Sequence, residues 1–191
     1  NKTDLAAPLG VSVPTVGQWL GVLQTTAQVL IVPPFYENLG KRLIKSPKVY
    51  VADSGLACHL LGIDSQAELA KSPFHGALFE GFIASEIVKA QSGSGKRPEI
   101  YYFRDEQGLE VDFLVPGSSG AVSLVECKAA RTVTPFDAAP MQRLAEALRR
   151  HRRHARAELN LVYQPPKTPA ATRAVAPGVR AWTSQDFLKK L

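Results

Sequence analysis

The sequence has few cysteines and no long apolar run, and each of these shortages excludes a class of protein. Two cysteines, Cys58 and Cys127, are too few for a disulfide framework or a zinc cage. We therefore expect both thiols to stay reduced, which favours a cytoplasmic location. No apolar stretch approaches the roughly 18 to 20 residues that span a bilayer, and no signal segment is visible, so no membrane partner is expected.

The composition is typical of a folded protein with a moderate excess of positive charge. The 191 residues are 45% hydrophobic and 21% charged, a balance that can bury a core and that excludes a disordered chain. The net charge is +6, which permits nucleic acid as a partner without establishing it. The chain starts at Asn1 without a Met, and we interpret it as part of a longer protein whose other portion could hold the main activity.

The first third of the chain has the pattern of a winged helix-turn-helix. A short helix is expected from Asp4, then a turn at Gly10 and a second helix that Ser12 caps. Two β-branched runs, 29–32 and 49–52, predict the strands of a wing. This segment carries four basic residues that are candidate phosphate contacts: Lys41, Arg42, Lys45 and Lys48.

After a polar, loop-like stretch over 62–73, the pattern changes to helices and strands that follow one another closely. The predicted elements are a helix from 76, strands at 99–103, 110–115 and 121–127, a helix at 137–153, strands at 159–163 and 179–182, and a helix at 184–191. This order predicts an α/β domain with a mixed central sheet.

The strongest chemical pattern is Asp112 on one predicted strand and Glu126-Cys127-Lys128 on the next. Because side chains alternate along a strand, Glu126 and Lys128 share one face while Cys127 points into the core. If the two strands pair antiparallel, Asp112 lies beside Glu126, and a hard divalent cation would relieve the repulsion between the two carboxylates. Lys128 could then orient a water or stabilise developing negative charge, which gives a workable site for phosphodiester hydrolysis.

The same alternation places Asp112 on one face of its strand with Glu110 and Leu114. The alternative interpretation of Asp112, Glu126 and Lys128 is surface charge on half-buried strands, without chemistry.

Asp112 and the Glu126-Cys127-Lys128 segment resemble the core motif of the PD-(D/E)xK nuclease superfamily. The resemblance implies a restriction-endonuclease-like fold, in which an acid-bearing helix precedes the strands. It implies catalytic roles for Asp112, Glu126 and Lys128, and a Mg²⁺ or Mn²⁺ ion held by Asp112, Glu126 and a helix acid. That acid corresponds to Glu80, with Glu86 as the less favoured choice.

A second resemblance covers nearly the whole chain. It rests on these segments: Lys41 to Tyr50, Asp53-Ser54-Gly55-Leu56, Gly76 to Glu80, Tyr102-Phe103-Arg104, Glu110 to Phe113, and Glu126-Cys127-Lys128. They resemble the C-terminal region of a group of prokaryotic AAA-type ATPases, catalogued as a domain of unknown function, DUF4143. This implies a winged helix-turn-helix over 1–62, a linker over 63–75 and a nuclease-like domain over 76–191. No phosphate-binding G-x-x-x-x-G-K-[ST] motif is present in this sequence. ATP is therefore expected as a cofactor only of the ATPase domain, which is absent here.

Two functions from different classes follow. The first is a metal-dependent hydrolase or DNA-binding module of that ATPase, and the second is a catalytically inactive nuclease-like adaptor that recruits the ATPase to DNA or a protein. The second predicted helix exposes Thr15, Gln18, Gln24 and Thr25, none of them basic, so winged-helix DNA binding and simple packing both stay open. Further candidate nucleic-acid contacts, which a solvated helix end would explain equally well, are Arg104, Arg149, Arg150, Arg152 and Arg153.

Overall fold

A computed structural model describes residues 2–35, 44–150, 156–165 and 173–191. Within these residues the chain folds into two N-terminal helices with a small hairpin, followed by a six-stranded mixed sheet with flanking helices. Four predicted phosphate contacts, Lys41, Arg42, Arg152 and Arg153, lie outside the described residues. No helix in the described part is long and apolar enough to cross a membrane.

The N-terminal helices have the predicted turn and cap. Helix α1 (Lys2–Leu9) and helix α2 (Val13–Thr25) are joined at Gly10, whose φ of +64° suits a residue without a side chain. The Ser12 side chain accepts the Thr15 N–H and so caps α2. Trp19 is 49% exposed, because α2 buries only its Val16 and Leu20 face against α1.

A two-stranded hairpin follows these helices and packs onto the main sheet. Strand β1 (Val29–Val32) pairs antiparallel with β2 (Lys48–Val51), in a register that places Val32 opposite Lys48. Beyond β1 the chain runs parallel to the first strand of the main sheet, where the Phe35 N–H donates to the Tyr102 carbonyl at 2.7 Å. The segment after β1 therefore ties the hairpin to the edge of the main sheet through backbone hydrogen bonds.

The six-stranded sheet has the mixed topology that the sequence predicts, in the order β3-β4-β5-β6-β8-β7. The β5–β6 and β6–β8 pairs are parallel and the other pairs are antiparallel. The strands are β3 (Tyr101–Arg104), β4 (Glu110–Pro116), β5 (Ala121–Lys128), β6 (Arg156–Tyr163), β7 (Arg173–Ala176) and β8 (Val179–Thr183). The helices are α3 (Ser54–Leu60), α4 (Gln66–Lys71), α5 (His75–Gly93), α6 (Pro135–Arg150) and α7 (Ser184–Lys190).

Helix α4 and strand β7 were not among the predictions. Helix α4 lies in the stretch interpreted as a loop, and it begins with a capping box in which Ser65 and Glu68 satisfy each other's backbone N–H groups. Strand β7 is an edge strand of four residues, too short for its alternation to be distinguished from a loop.

Each face of the sheet has its own apolar core. Helix α6 packs on one face, where Met141 and Leu144 meet β4 and β5 residues such as Leu124. Helix α5 and the hairpin pack on the other, where Ile83 and Val32 meet Phe113. Because the hairpin shares this second core with α5, burial on folding joins the N-terminal segment to the sheet.

Strand β4 departs from strict alternation next to the acidic residues. The pairing of β3 with β4 shifts register between Tyr101 and Phe103, which marks a β-bulge. As a result Val111 and Leu114 enter the same core cluster with α6, whereas alternation would place Val111 with Phe113. The prediction that Leu114 shares the face of Asp112 is therefore wrong, because the bulge redirects the strand at this point.

Candidate functional site

The predicted acidic residues converge at one end of the β4–β5 pair, at the mouth of a cavity of about 740 Å³. The β4–β5 register pairs Phe113 with Val125, so Asp112 and Glu126 are the next residues along the two antiparallel strands. Helix α5 contributes Glu80 and strand β5 contributes Lys128 to the same cavity. The residues that sequence reasoning selected therefore do lie together.

A lysine from the hairpin lies among these carboxylates. The Lys48 Nζ is 2.6 Å from Glu80 Oε1, 2.8 Å from Glu110 Oε1 and 3.4 Å from Asp112 Oδ1. The same ammonium lies 5.4 Å from the centre of the Tyr102 ring, which adds a cation–π contact. An ammonium has three N–H donors, and here three carboxylate oxygens surround it. Sequence reasoning assigned Lys48 to nucleic acid, whereas the structure directs it into the protein.

Tyr50, two residues further along β2, also reaches the cluster. Its hydroxyl donates a hydrogen bond to Glu80 Oε1, and its ring packs against Phe113 with the centroids 6.0 Å apart. A Cβ atom at Gly81 would lie only 3.2 Å from the Tyr50 ring, so a glycine at this position of α5 allows the close approach. Burial, followed by the charge of Glu80, raises the pKa of the Tyr50 hydroxyl, which keeps it a hydrogen-bond donor.

Asp112 is buried and links the two sides of the cluster. Its Oδ2 accepts the Cys127 backbone N–H at 2.8 Å, while Oδ1 faces Lys48. Burial, followed by the charges of Glu126 and Glu80, raises the pKa of Asp112, and Lys48 opposes this shift. The carboxyl group is thus held in a position where its charge is costly unless a cation is close.

Glu126 and Lys128 form a second ion pair beside the first. The Lys128 Nζ is 2.9 Å from Glu126 Oε1, and the lysine side chain is 35% exposed while that of the glutamate is 8% exposed. Burial raises the pKa of Glu126 despite this pairing. Burial lowers the pKa of Lys128, but the charge and the hydrogen bond of Glu126, together with the charges of Asp112 and Asp137, outweigh burial, and the net shift is upward. Lys128 therefore presents a charged, partly accessible ammonium to the cavity.

The cluster suits a divalent cation in its chemistry. Carboxylate oxygens are the ligands that Mg²⁺ and Mn²⁺ prefer. One buried oxygen, Glu126 Oε2, has no hydrogen-bond partner among the described residues, and an added cation would satisfy it. Within the same described ranges, however, no group of three His, Cys, Asp or Glu side chains is arranged to hold a metal ion. The donors are thus of the right kind, but the Lys48 ammonium lies between three of the carboxylates.

The two candidate helix acids are clearly separated by the structure. Glu80 contacts Lys48 and Tyr50 at the cluster, whereas Glu86 pairs with Lys89 on the surface of the same helix at 2.8 Å. Glu80 is therefore the helix residue that lies at the site.

The other candidate nucleic-acid contacts within the described residues are Lys45, Arg104, Arg149 and Arg150. Arg104, whose side chain is 51% exposed, lies 3.5 Å from Glu110, and Lys45 is exposed shortly before β2. At the end of α6, Arg149 donates to the Ala145 carbonyl and Arg150 pairs with Glu146. All four are accessible to a ligand, and their assignment to nucleic acid stays a prediction.

Sequence reasoning missed four residues that line or complete this site: Lys48 as a partner of the carboxylates, Tyr50, Glu110 and Arg143. Lys48 and Tyr50 are two residues apart on β2 and so share a face, but the strand predicted over 49–52 did not include Lys48. No sequence signal showed that this face meets α5, because that contact depends on how the hairpin docks.

The site thus belongs to an α/β protein with a carboxylate and lysine cluster at one end of two interior strands of its mixed sheet. Residues 75–171, about half of the chain, match the family described as a domain of unknown function (DUF4143). The chain belongs to this family, which confirms the DUF4143 resemblance. Residues 1–67 match a second domain of unknown function, DUF8612.

Two curated relatives are similar to this chain. They are the uncharacterized proteins Rv2008c of Mycobacterium tuberculosis and Mb2031c of Mycobacterium bovis, each 36% identical over 132 residues. Each alignment covers 69% of this chain and 28% of the relative, so the relatives are much longer proteins. No solved structure matches the chain.

Proposed function

We propose that this chain is a metal-dependent phosphodiester-hydrolysing module that acts on DNA and forms the C-terminal part of a AAA-type ATPase. In this proposal residues 1–62 are a winged helix-turn-helix and residues 76–191 a restriction-endonuclease-like domain. One observation carries the proposal: Asp112, Glu126 and Lys128 lie on adjacent strands at one cavity, with Glu80 from the preceding helix. The length of the relatives supports a further domain in the whole protein.

Within the site, the carboxylates and the lysine have different tasks. Asp112, Glu126 and Glu80 would hold Mg²⁺ or Mn²⁺. When bound, such an ion would supply positive charge to the scissile phosphate and a more acidic water. Water would add to phosphorus and release a proton to solvent, while the bond from phosphorus to the leaving sugar oxygen breaks and that oxygen takes up a proton from solvent. The Lys128 ammonium, oriented by Glu126, would stabilise the negative charge that develops on the phosphate.

The accessible basic side chains would position the DNA backbone. Arg143 lines the cavity, Arg104 pairs with Glu110 of its lining, and Arg149, Arg150 and Lys45 extend the positive surface. Affinity for duplex DNA should fall steeply with salt, with Arg104→Ala lowering the slope by about one, as for one lost phosphate contact. A salt dependence that is flat in the parent protein would argue against contact with several phosphates.

The proposal is tested by a nuclease assay on supercoiled, linear and branched DNA with Mn²⁺ and with Mg²⁺. We expect cleavage by the parent protein and loss of cleavage in Asp112→Ala and Lys128→Ala. Glu80→Gln and Glu86→Gln form a matched pair on one helix, because only Glu80 lies at the cluster. The first should lose activity and the second should keep it.

An equal loss of cleavage activity in Glu80→Gln and Glu86→Gln would argue against a specific role of Glu80 at the site. If this chain does not cleave, the same variants are tested in the full-length protein, where an ATPase can load the substrate. Absence of cleavage there as well would overturn the catalytic proposal.

A second function, a nuclease-like adaptor without catalysis, is favoured by one observation. Lys48 satisfies Glu80, Glu110 and Asp112 with no added ion, so these carboxylates can serve to attach the hairpin to the sheet. An adaptor would bind DNA or a protein without any dependence on Asp112. Binding that persists in Asp112→Ala, together with absent cleavage, would support this function.

A further inference from the structure

We infer that Lys48 is an internal competitor of the divalent cation: its ammonium lies in the carboxylate cluster and has to withdraw before the cation can bind. This inference rests on the proposed function, because it concerns the same cluster. It adds a coupling between metal binding and the N-terminal hairpin, since the competing cation belongs to β2.

The first support is the set of contacts that Lys48 makes. Its three donors face oxygens of Glu80, Glu110 and Asp112, at 2.6, 2.8 and 3.4 Å. The side chain is only 19% exposed, so little water competes for these contacts. Two of these carboxylates are ones that the metal would need. A cation that binds Glu80 and Asp112 must therefore displace the ammonium.

The second support is an acceptor that Lys48 does not satisfy. Glu126 Oε2 is buried, lies at the same cavity and has no hydrogen-bond partner within the described part of the chain. A buried carboxylate oxygen without a partner is costly, and this cost favours the entry of a cation that reaches Glu126 as well. Lys48 thus provides a cationic partner for Glu80 and Asp112, but it leaves Glu126, the third predicted metal ligand, with an oxygen that has no partner in the part of the chain that the structure describes.

The third support is the way in which Lys48 is held. Tyr50 hydrogen-bonds Glu80 from the same strand, and the hairpin is tied to the sheet edge through the Phe35 and Tyr102 backbone groups. Withdrawal of Lys48 therefore requires either a new rotamer of its long side chain or a shift of β2 relative to α5. A new rotamer links metal binding to the position of the Lys48 side chain, and a shift of β2 links it to the hairpin strand as well, because the two cations exclude each other.

The test is a Mn²⁺ titration followed by the electron paramagnetic resonance signal of the free ion. The proteins are the parent, Lys48→Met, Lys48→Met with Asp112→Asn, and the control Lys89→Met on the surface of α5. Removal of the competitor should tighten Mn²⁺ binding by about tenfold or more, while Lys89→Met should leave it at the parental value. The added Asp112→Asn change should abolish the gain, which locates the ion at the cluster.

Equal Mn²⁺ affinity in the parent and Lys48→Met would overturn the competition while leaving a metal-dependent function intact. Absence of Mn²⁺ binding in both proteins would overturn the competition and the metal site together. Circular dichroism checks that each variant is folded.

A second measurement uses the parent protein alone and does not depend on a variant. Lysine acetylation is followed by mass spectrometry with and without Mn²⁺. Lys48 should react more slowly than the exposed Lys89, and Mn²⁺ should increase its rate while Lys89 is unchanged. A Lys48 rate that stays constant under conditions where Mn²⁺ binds would contradict the inference.

Discussion

The ion-pair cluster predicts a specific pattern of stability in a double-mutant cycle between Lys48 and Glu80. Lys48→Met keeps the apolar stem of the side chain but removes the ammonium group that contacts all three carboxyl groups. Glu80→Gln removes one of the three acidic partners and leaves Glu110 and Asp112 for Lys48. The lysine variant should therefore be the more destabilised of the two single variants.

The magnitudes follow from the burial of the partners. Removing one partner of a buried ion pair costs about 3–5 kcal/mol. The side chains of Lys48 and Glu110 are 19% and 33% exposed, which reduces the cost. We therefore expect Lys48→Met to lower the free energy of unfolding by about 2–4 kcal/mol, and Glu80→Gln by about 1 kcal/mol, near the contribution of one hydrogen bond.

The assay is urea unfolding of the parent, both single variants and the double variant in metal-free buffer. Because Lys48→Met alone leaves Glu80 facing other carboxylates, the double variant should be more stable than the sum of the single losses indicates. The coupling should be about 1 kcal/mol or more. Lys89→Met, in an exposed pair with Glu86, is the control and should change stability by less than about 0.5 kcal/mol. Additive losses would refute the contact between Lys48 and Glu80.

Three further predictions concern the same region. Burial, then Glu126 and Glu80, raise the pKa of Asp112 to about 8, so the folded protein keeps a proton that the unfolded chain releases. Stability should thus fall as the pH rises from about 4 to about 8, and Asp112→Asn should flatten this slope in urea midpoints measured at each pH. Gly81→Val should destabilise the protein by about 1–3 kcal/mol because its side chain meets the Tyr50 ring, whereas Gly21→Val, with open space around it, should not, as thermal unfolding can show. Phe113→Ala should cost about 3–5 kcal/mol in urea unfolding, because Phe113 is fully buried between α5 and the hairpin. If Phe113→Ala lowered the free energy of unfolding by less than about 0.5 kcal/mol, as a substitution at an exposed site does, this packing would be contradicted.

The fold was largely predictable because its elements carry local signals. The alternation in β3, β4 and β5 and the apolar stripe of α5 depend only on neighbouring residues, and their order indicates a mixed sheet. Helix α4 was missed although Ser65 and Glu68 provide its capping signal, since six residues give too little periodicity. The β4 bulge could not be predicted, because it depends on how β3 pairs with β4.

The candidate site shows the same division between local and long-range information. Asp112, Glu126 and Lys128 were selected from spacing on two adjacent strands, and the structure brings them to one cavity. Glu80 was selected through a resemblance to a known motif, and it lies at the cluster as well. Metal binding by these residues stays a prediction. Their proximity follows from strand pairing, which the pattern predicted.

Lys48 is predicted as a nucleic-acid contact on charge alone, and the sequence did not indicate its carboxylate partners for a physical reason. A lysine on a short basic segment is by default solvated, and the acidic residues nearest to Lys48 in the sequence are Asp53 and Glu37. The three carboxylates that surround its ammonium are instead 32, 62 and 64 residues further along the chain, on α5 and β4. They meet Lys48 only because Val32 and Tyr50 bury the hairpin against the α5 side of the sheet. Two lysines with the same charge, Lys48 and Lys128, therefore have different environments: burial turns the first toward the protein's own carboxylates, and partial exposure leaves the second accessible to a phosphate.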